Sequence, residues 1–315
     1  MKPKISIVVP NYNHAAYLEE RLESIFNQTF EDYEVILLDD SSTDNSAEIL
    51  KKYACHPKVT HCIINEENSG GTFIQWNKGI ELAKGEFIWI AETDDYCEFD
   101  FLERMLAFYG QNREVSLLYS QSHRVNSQGR ITGNWVTHTS NFHPNIFDKD
   151  FVMEGNLFIE KYLIHKNVIP NVSAVLFKRT ELERIFPLRF YPYMKYNADW
   201  FYYVQLLCNT QVGYVSDSLN YFRYHNSSVI SSASKQKSWW KIFKMEALMR
   251  KKMFQYLKSC NPPNIEKIKV QKRKGDVHLR FLTANGYIKK KKYGIGIWIA
   301  LREPHLCSKI FRSII

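Results

Sequence analysis

Two groups of acidic side chains stand where two short apolar runs end. Val35-Ile36-Leu37-Leu38 leads into Asp39-Asp40, and Phe87-Ile88-Trp89-Ile90-Ala91 leads into Glu92-Thr93-Asp94-Asp95. Runs of this length, rich in β-branched and aromatic residues, predict buried parallel strands. In open α/β sheets the ligand crevice lies just beyond the carboxyl ends of such strands. Carboxylates gathered there repel one another unless a cation or a hydrogen-bonding ligand offsets their charge. The economical reading is a divalent metal ion beside a nucleotide diphosphate, with one further carboxylate gripping the base.

The elements that must carry these groups can be read from periodicity. Strand-like runs cover Ile5–Val9, Val35–Leu38, Val59–Ile64 and Phe87–Ala91, with a fifth at Leu117–Ser120. Between them, apolar residues at helical spacing mark Tyr17–Phe26, Asp44–Tyr53, Phe73–Ala83 and Phe99–Tyr109. Strands alternating with helices imply right-handed βαβ units and a parallel sheet. After residue 120 the rhythm changes. Gln121–Asp150 reads as loops with a hairpin near Ile131–Val136, Phe151–His165 as a helix, Val172–Lys178 as a strand and Asn197–Cys208 as a helix. Gln211–Tyr224 reads as extended, and two helices, Trp239–Leu257 and Ile265–Tyr287, meet at Asn261-Pro262-Pro263. Pro10 lacks an N–H and is expected to end the first ladder.

A chain of 315 residues suits one large α/β domain with an appendage, or two small domains. The six cysteines show neither a Cys-x-x-Cys pair nor a Cys/His ligand spacing, which reads as isolated reduced thiols in a cytosolic protein. No secretory signal is visible, and no segment reaches the ~18 apolar residues of a membrane span. The net charge of +9 is unevenly spread. From Lys235 onward, 21 Lys plus Arg face Glu246, Glu266, Asp276 and Glu303, a net of +17, which leaves −8 on residues 1–234. The expected organisation is a catalytic domain over residues 1–234, with halves at 1–120 and 121–234, followed by a basic helical extension over 235–315.

The ordered stretches ISIVVPNYN (5–13), SIFNQTF (24–30), VILLDDSSTDNS (35–46), NSGG (68–71), WNKG (76–79) with AKG (83–85), and WIAETDD (89–95) resemble the inverting nucleotide-sugar glycosyltransferases of family 2. The resemblance is strong over 4–110, moderate to about 230 and absent beyond. It implies a GT-A fold, a Rossmann-like and mostly parallel sheet flanked by helices. It also implies transfer of a sugar from a nucleotide diphosphate, UDP foremost, to an acceptor hydroxyl in surface polysaccharide or glycolipid synthesis, with Mg2+ or Mn2+ as cofactor. By the same resemblance Asp95 is the expected metal carboxylate and Asp94 faces a ribose or sugar hydroxyl. Asp40 accepts a hydrogen bond from the uracil ring, and Asp199 is the general base that takes the acceptor proton. His225 approaches the diphosphate or metal. Pro10 and Tyr12 lie at the base site, Tyr12 being able to stack on the ring. Bland readings stand beside each: the aspartates as helix caps, Tyr12 and Trp200 as packing, Asp199 as a first-turn residue favoured by the helix dipole, and Arg223 as an ion-pair partner.

Residues 287–301 place Lys289-Lys290-Lys291-Lys292 beside Ile295, Ile297, Trp298 and Leu301, as an interfacial segment on anionic lipid would. The expected partners are therefore a nucleotide-sugar donor, a carbohydrate or lipid-linked glycan acceptor and an anionic membrane surface, with no nucleic acid. The expected location is the cytoplasm, peripheral at the inner face of the plasma membrane. Two alternatives remain. A sugar nucleotidyltransferase needs a Gly-rich, Lys- or Arg-bearing loop after the first strand, where Asn11-Tyr12-Asn13-His14-Ala15-Ala16 stands instead. The other is a catalytically inactive carbohydrate- or lipid-binding module.

Overall fold

A computed structural model describes residues 2–189, 197–225, 239–289 and 291–301. The chain divides into two compact units. The first is Met1–Gly155, Val168–Arg189 and Asn209–His225; the second is Asn156–Asn167, Phe190–Cys208 and Asn226–Ile315. The division interleaves the chain rather than falling at residue 234, because segments 156–167 and 190–208 group with the C-terminal helices.

The first unit holds the sheet. Its strands are β1 (Ile5–Asn11), β2 (Tyr33–Asp39), β3 (Val59–Ile64), β4 (Phe87–Ile90), β5 (Tyr96–Cys97), β6 (Val115–Val125), β7 (Ile131–Asn134), β8 (Phe151–Glu154), β9 (Val175–Lys178) and β10 (Gln211–Arg223). They run in the order β3-β2-β1-β4-β9-β6-β10-β5, with β7 added on β6 and β8 on β10. β1, β2, β3 and β4 pair in parallel, as the alternating sequence requires. Every residue of β1, β2 and β4 is buried, which explains why these runs are apolar without alternation. The helices between them are α1 (Ala15–Phe26), α2 (Ser46–Tyr53), α3 (Thr72–Leu82) and α4 (Phe101–Gln111). α1 buries Leu18, Leu22 and Ile25 in the same core as Ile7, Leu37 and Trp89. On α3, Gly79 sits so close to β1 that an added Cβ would stand 2.1 Å from Val8 Cγ1.

Several sequence expectations change here. Pro10 does not end β1. The pairing continues as Pro10↔Leu38 and Asn11↔Asp39, and the next bond is made by the Asp40 N–H to the Asn11 carbonyl at 2.9 Å. The missing proline donor is thus bypassed. The strand expected at Leu117–Ser120 is β6, eleven residues long rather than four. Phe151–His165 opens as strand β8, because Phe151–Glu154 pairs antiparallel with β10; it becomes helical only at α6 (Gly155–Phe158) and the π-helical turn Ile159–Leu163. β9 pairs antiparallel with both β4 and β6. Short helices α5 (Val136–Thr139) and α7 (Arg179–Ile185) complete this half.

The second unit is helical. It contains α8 (Ala198–Leu207), α9 (Trp239–Cys260), α10 (Ile265–Lys289) and α11 (Tyr293–Leu301). Arg250 of α9 donates to the Ile164 and His165 carbonyls and lies 5.1 Å from the Trp200 ring. Trp200 is buried, and its indole N–H bonds the Leu163 carbonyl at 2.8 Å. It is a packing residue of this unit. The basic stretch beyond 301 lies outside the described residues.

Candidate active site

The loops after β1 and β2 are fastened to each other before any ligand is considered. Asn13 and Ser41 adopt positive φ (57° and 61°) as the chain turns off the sheet. Asn13 Oδ1 accepts from the Thr43 N–H at 2.7 Å, and the Asn13 N–H donates to Ser42 Oγ at 2.9 Å. Asp39 is fully buried and accepts from Asn11 Nδ2 at 2.7 Å, the Ser42 N–H at 2.9 Å and Ser42 Oγ at 2.7 Å. Tyr12, between these anchors, is 47% exposed, so its ring is open to a ligand.

Asp40 is held by its own neighbours. Its Oδ1 accepts from Asn65 Nδ2 (2.8 Å), the Ser69 N–H (2.9 Å) and Gln75 Nε2 (2.7 Å), and its Oδ2 accepts from Ser69 Oγ (2.8 Å). Lys78 Nζ in turn donates to Asn65 Oδ1 at 2.7 Å. The carboxylate expected to grip a base therefore also organises the 65–69 loop. A carboxylate oxygen has two lone-pair directions, and Oδ2 is the one with capacity for a further donor.

The carboxylates after β4 separate into distinct environments. Glu92 accepts from the Trp76 indole N–H at 2.6 Å. Burial first, then the charges of Asp94 and Asp95, push its carboxyl up to about 8. Asp95 is 2% exposed. It accepts from Asn171 Nδ2 at 2.5 Å and from the Arg223 N–H at 3.0 Å. Burial and the neighbouring Asp94 charge push it up to about 7, opposed by its hydrogen bonds and by Arg21. Asn171 also accepts from Asn220 Nδ2 at 3.1 Å, so Asp95 heads a buried polar chain that links the segment before β9 to β10. Arg21 lies fully buried 4.7 Å from the Trp89 ring, and its three guanidinium nitrogens have no hydrogen-bond acceptor among the described residues.

Asp94 turns the other way. It faces His225, whose Nε2 lies 3.0 Å from Asp94 Oδ2, and His14 completes a group whose ligand atoms lie within 4.8 Å of one another. Burial acts to raise the Asp94 carboxyl, but the His225 hydrogen bond and the charges of His14 and His225 outweigh it and hold it below the usual range. His14 Nδ1 is 2.8 Å from Thr93 Oγ1, and Thr93 Oγ1 donates to the Pro10 carbonyl at 3.4 Å. Two imidazoles and a carboxylate so placed fit a divalent cation of the first transition row. Asp94, not Asp95, is the carboxylate of this group.

Arg223 fixes the end of β10 against the site. Its Nε donates to the Asp94 carbonyl at 2.8 Å, its Nη1 to the Asn126 and Ser127 carbonyls at 3.2 Å, and its Nη2 to Glu20. The guanidinium also stacks 4.7 Å from the Tyr17 ring. It is an ion-pair partner, of Glu20. His14, Gln75, Asn171 and Arg21 carried no motif signal, since only the fold brings them to the carboxylates.

Asp199 belongs to the second unit, in the first turn of α8. Asn167 Nδ2 donates to its Oδ2 at 3.3 Å. Burial pushes its carboxyl up to about 6, against the Trp200 N–H and Asn167 bonds. Asn77, in the same motif as Trp76, exchanges two hydrogen bonds with the Leu188 backbone and is structural.

Residues 6–161 match the family described as Glycosyl transferase family 2. EpsH of Bacillus subtilis (strain 168), a protein named for glycosyl transfer, is 28% identical over 236 residues, 74% of this chain and 64% of that one. Other relatives named as glycosyltransferases or polysaccharide synthases match over 105–133 residues at 32–42% identity, under half of their own length. Among solved structures, S. aureus TarS 1-349 in complex with UDP-GlcNAc covers 91% of this chain and 81% of its own, with TM-score 0.60 and 20% identity. The mannosyltransferase from Pyrobaculum calidifontis in complex with GDP-Man and Mn2+ covers 100% and 85%, with TM-score 0.56 and 15% identity. These likenesses are in fold, and they fall on the α/β architecture expected of a GT-A enzyme. The chain belongs to glycosyltransferase family 2, with the family match carried by residues 6–161.

Proposed function

We propose that the chain is an inverting glycosyltransferase that moves a sugar from a nucleotide diphosphate, UDP foremost, to the hydroxyl of a glycan or lipid-linked acceptor. Surface polysaccharide or glycolipid synthesis is the proposed setting. The observation that carries the reading is the His14, Asp94 and His225 group at the strand ends beside the exposed Tyr12. TarS and the mannosyltransferase, each named with its bound nucleotide sugar, support the donor class.

Asp94 and His225, with His14, would hold the divalent cation, Mn2+ ahead of Mg2+ because imidazole ligands suit the softer ion. When bound, the cation supplies Lewis-acid neutralisation of the charge that grows on the departing diphosphate. Tyr12 stacks on the base, and Asp40 Oδ2 accepts its ring N–H. Arg223 fixes the Asp94 backbone and keeps His225 in register with it. Asp199 accepts the proton of the attacking hydroxyl, a role served by a carboxyl raised toward the working pH.

The helical C-terminal segment is proposed to rest on an anionic membrane surface at the cytoplasmic face. On α11, Tyr293, Ile295 and Trp298 are 46%, 47% and 57% exposed next to the lysine run. No helix among the described residues is long and apolar enough to cross a membrane.

A thermal-shift series with UDP, GDP and dTDP, each with and without Mn2+, tests the donor reading. A shift from UDP that requires Mn2+ and disappears in Asp94→Asn supports it. Equal shifts with and without the ion, or none with any nucleotide, would overturn it.

A further inference from the structure

The end of β10 carries two kinds of side chain. Arg223 and His225 turn to the carboxylates. Phe222 and Tyr224 turn to the opposite side, where they meet Trp135 from the segment joining β7 to α5. Trp135 stacks on Phe222 (5.6 Å between centroids, 21° between planes) and on Tyr224 (6.5 Å, 29°). Phe222 and Tyr224 lie 5.0 Å apart. His138 closes one edge of Trp135 at 4.6 Å, and Ile131 lies 57% exposed on β7.

This stack is not a sealed core. Tyr224 is 37% exposed, and Trp135 and Phe222 are part-buried. Arg124 of β6 lies over the Trp135 ring at 4.9 Å. One Arg124 nitrogen donates to Thr137 Oγ1 at 3.1 Å, while Arg124 Nε and Trp135 Nε1 have no acceptor among the described residues. No carboxylate among the described residues pairs with Arg124, so its cation is uncompensated among them. The place is also tied to the candidate centre. Tyr224 sits between Arg223 and His225, and its N–H bonds the Val125 carbonyl at 2.8 Å.

We propose that Trp135, Phe222 and Tyr224 form an acceptor subsite that takes a pyranose ring bearing a carboxylate, with Arg124 receiving the charge. Flat aromatic faces receive the C–H face of a sugar with little loss of side-chain freedom, and a stacked set holds its planes in advance. Arg124 supplies what aromatic carbon cannot, namely selection by charge. A guanidinium lying flat on an indole keeps its edge N–H groups for a planar acid. The elements involved, the end of β6, β7, α5 and the end of β10, fall within the second expected half, residues 121–234. The proposal rests on the transferase reading and names the class of its second substrate.

The test uses the full chain with saturating UDP and Mn2+, and saturation-transfer NMR as the readout. The probes are a hexasaccharide of alternating glucuronate and N-acetylglucosamine, and a neutral N-acetylglucosamine hexasaccharide. Transfer to the acidic probe, weakened about tenfold in affinity by Tyr224→Ala and again by Arg124→Gln, is the expected result. Trp135→Ala is read beside them, and the exposed Tyr224 keeps the test open should that variant unfold. Equal binding of the neutral probe, or acidic binding unchanged in both Tyr224→Ala and Arg124→Gln, overturns the subsite. UDP·Mn2+ binding, followed by thermal shift in the same samples, separates the two readings. Its loss in the unaltered protein removes the transferase reading, whereas its retention with no oligosaccharide contact removes only the subsite.

Discussion

Asp40 offers the sharpest test of how the site is built. A residue whose work is confined to gripping a base would leave the unliganded protein untouched when replaced. The structure argues otherwise. Three donors, Asn65 Nδ2, the Ser69 N–H and Gln75 Nε2, converge on Oδ1, and the residue is only 3% exposed. In Asp40→Asn the amide oxygen can keep the Oδ1 position, so no donor need be orphaned. Each of those bonds falls from charge-assisted to neutral, a loss of about 1 kcal/mol apiece and about 3 kcal/mol together. The new NH2 group at the Oδ2 position meets Ser69 Oγ, whose hydroxyl can rotate to accept. The expected outcome is a melting temperature lowered by roughly 5–8 °C in the absence of nucleotide, with hydrogen exchange at the Ser69 amide accelerated. A melt within about 1 °C of the parent, or Ser69 exchange unchanged, would refute the anchoring role, because a 3 kcal/mol loss cannot hide at that scale.

The other expectations concern chemistry and packing. Asp94→Asn and His225→Ala should each abolish the Mn2+-dependent part of nucleotide binding in calorimetry, whereas Asp95→Asn should chiefly lower stability because its partners are Asn171 and the Arg223 backbone. The Asp199 carboxyl, raised to about 6, is deprotonated above that pH and protonated below it. Turnover at saturating donor should therefore fall as pH drops through about 6, by roughly tenfold per unit below it. Asp199→Asn should bind nucleotide normally but lose transfer by ~10²–10⁴-fold; full activity in that variant would show the base to be another group. Gly79→Ala should cost roughly 1–3 kcal/mol in urea unfolding, since its methyl meets Val8 and α3 must move off the sheet. Arg223→Lys should weaken Mn2+ binding while largely sparing the fold, since one ammonium cannot serve the Asp94 carbonyl, the 126–127 turn and Glu20 together.

The parallel half of the sheet was legible because its strands are short, apolar and punctuated by acids at their ends. The positions of Asp39, Asp40, Glu92, Asp94 and Asp95 at the strand ends followed directly. Which carboxylate points outward did not follow, because β4 ends at Ile90 and the chain then turns. From there, orientation depends on Asn171 and Arg223, more than seventy residues away in sequence. His14 was invisible for the same reason: its meaning depends on Thr93 and His225. Phe151–Glu154 misled because a four-residue strand carries too few side chains to establish a period, and its pairing with β10 decides its state. The aromatic stack was hidden by distance, with Trp135 far along the chain from Phe222 and Tyr224 and joined to them only through pairing across β6, β7 and β10.

The alternation at residues 222–225 has a consequence for how this enzyme can change. Neighbouring positions on one ribbon serve opposite sides, so Phe222 and Tyr224 can be exchanged for other residues without touching the groups that meet Asp94. Insertion or deletion of a single residue there would do the reverse, turning every later side chain over at once. Drift by substitution is therefore open to this ribbon, while drift by length is closed.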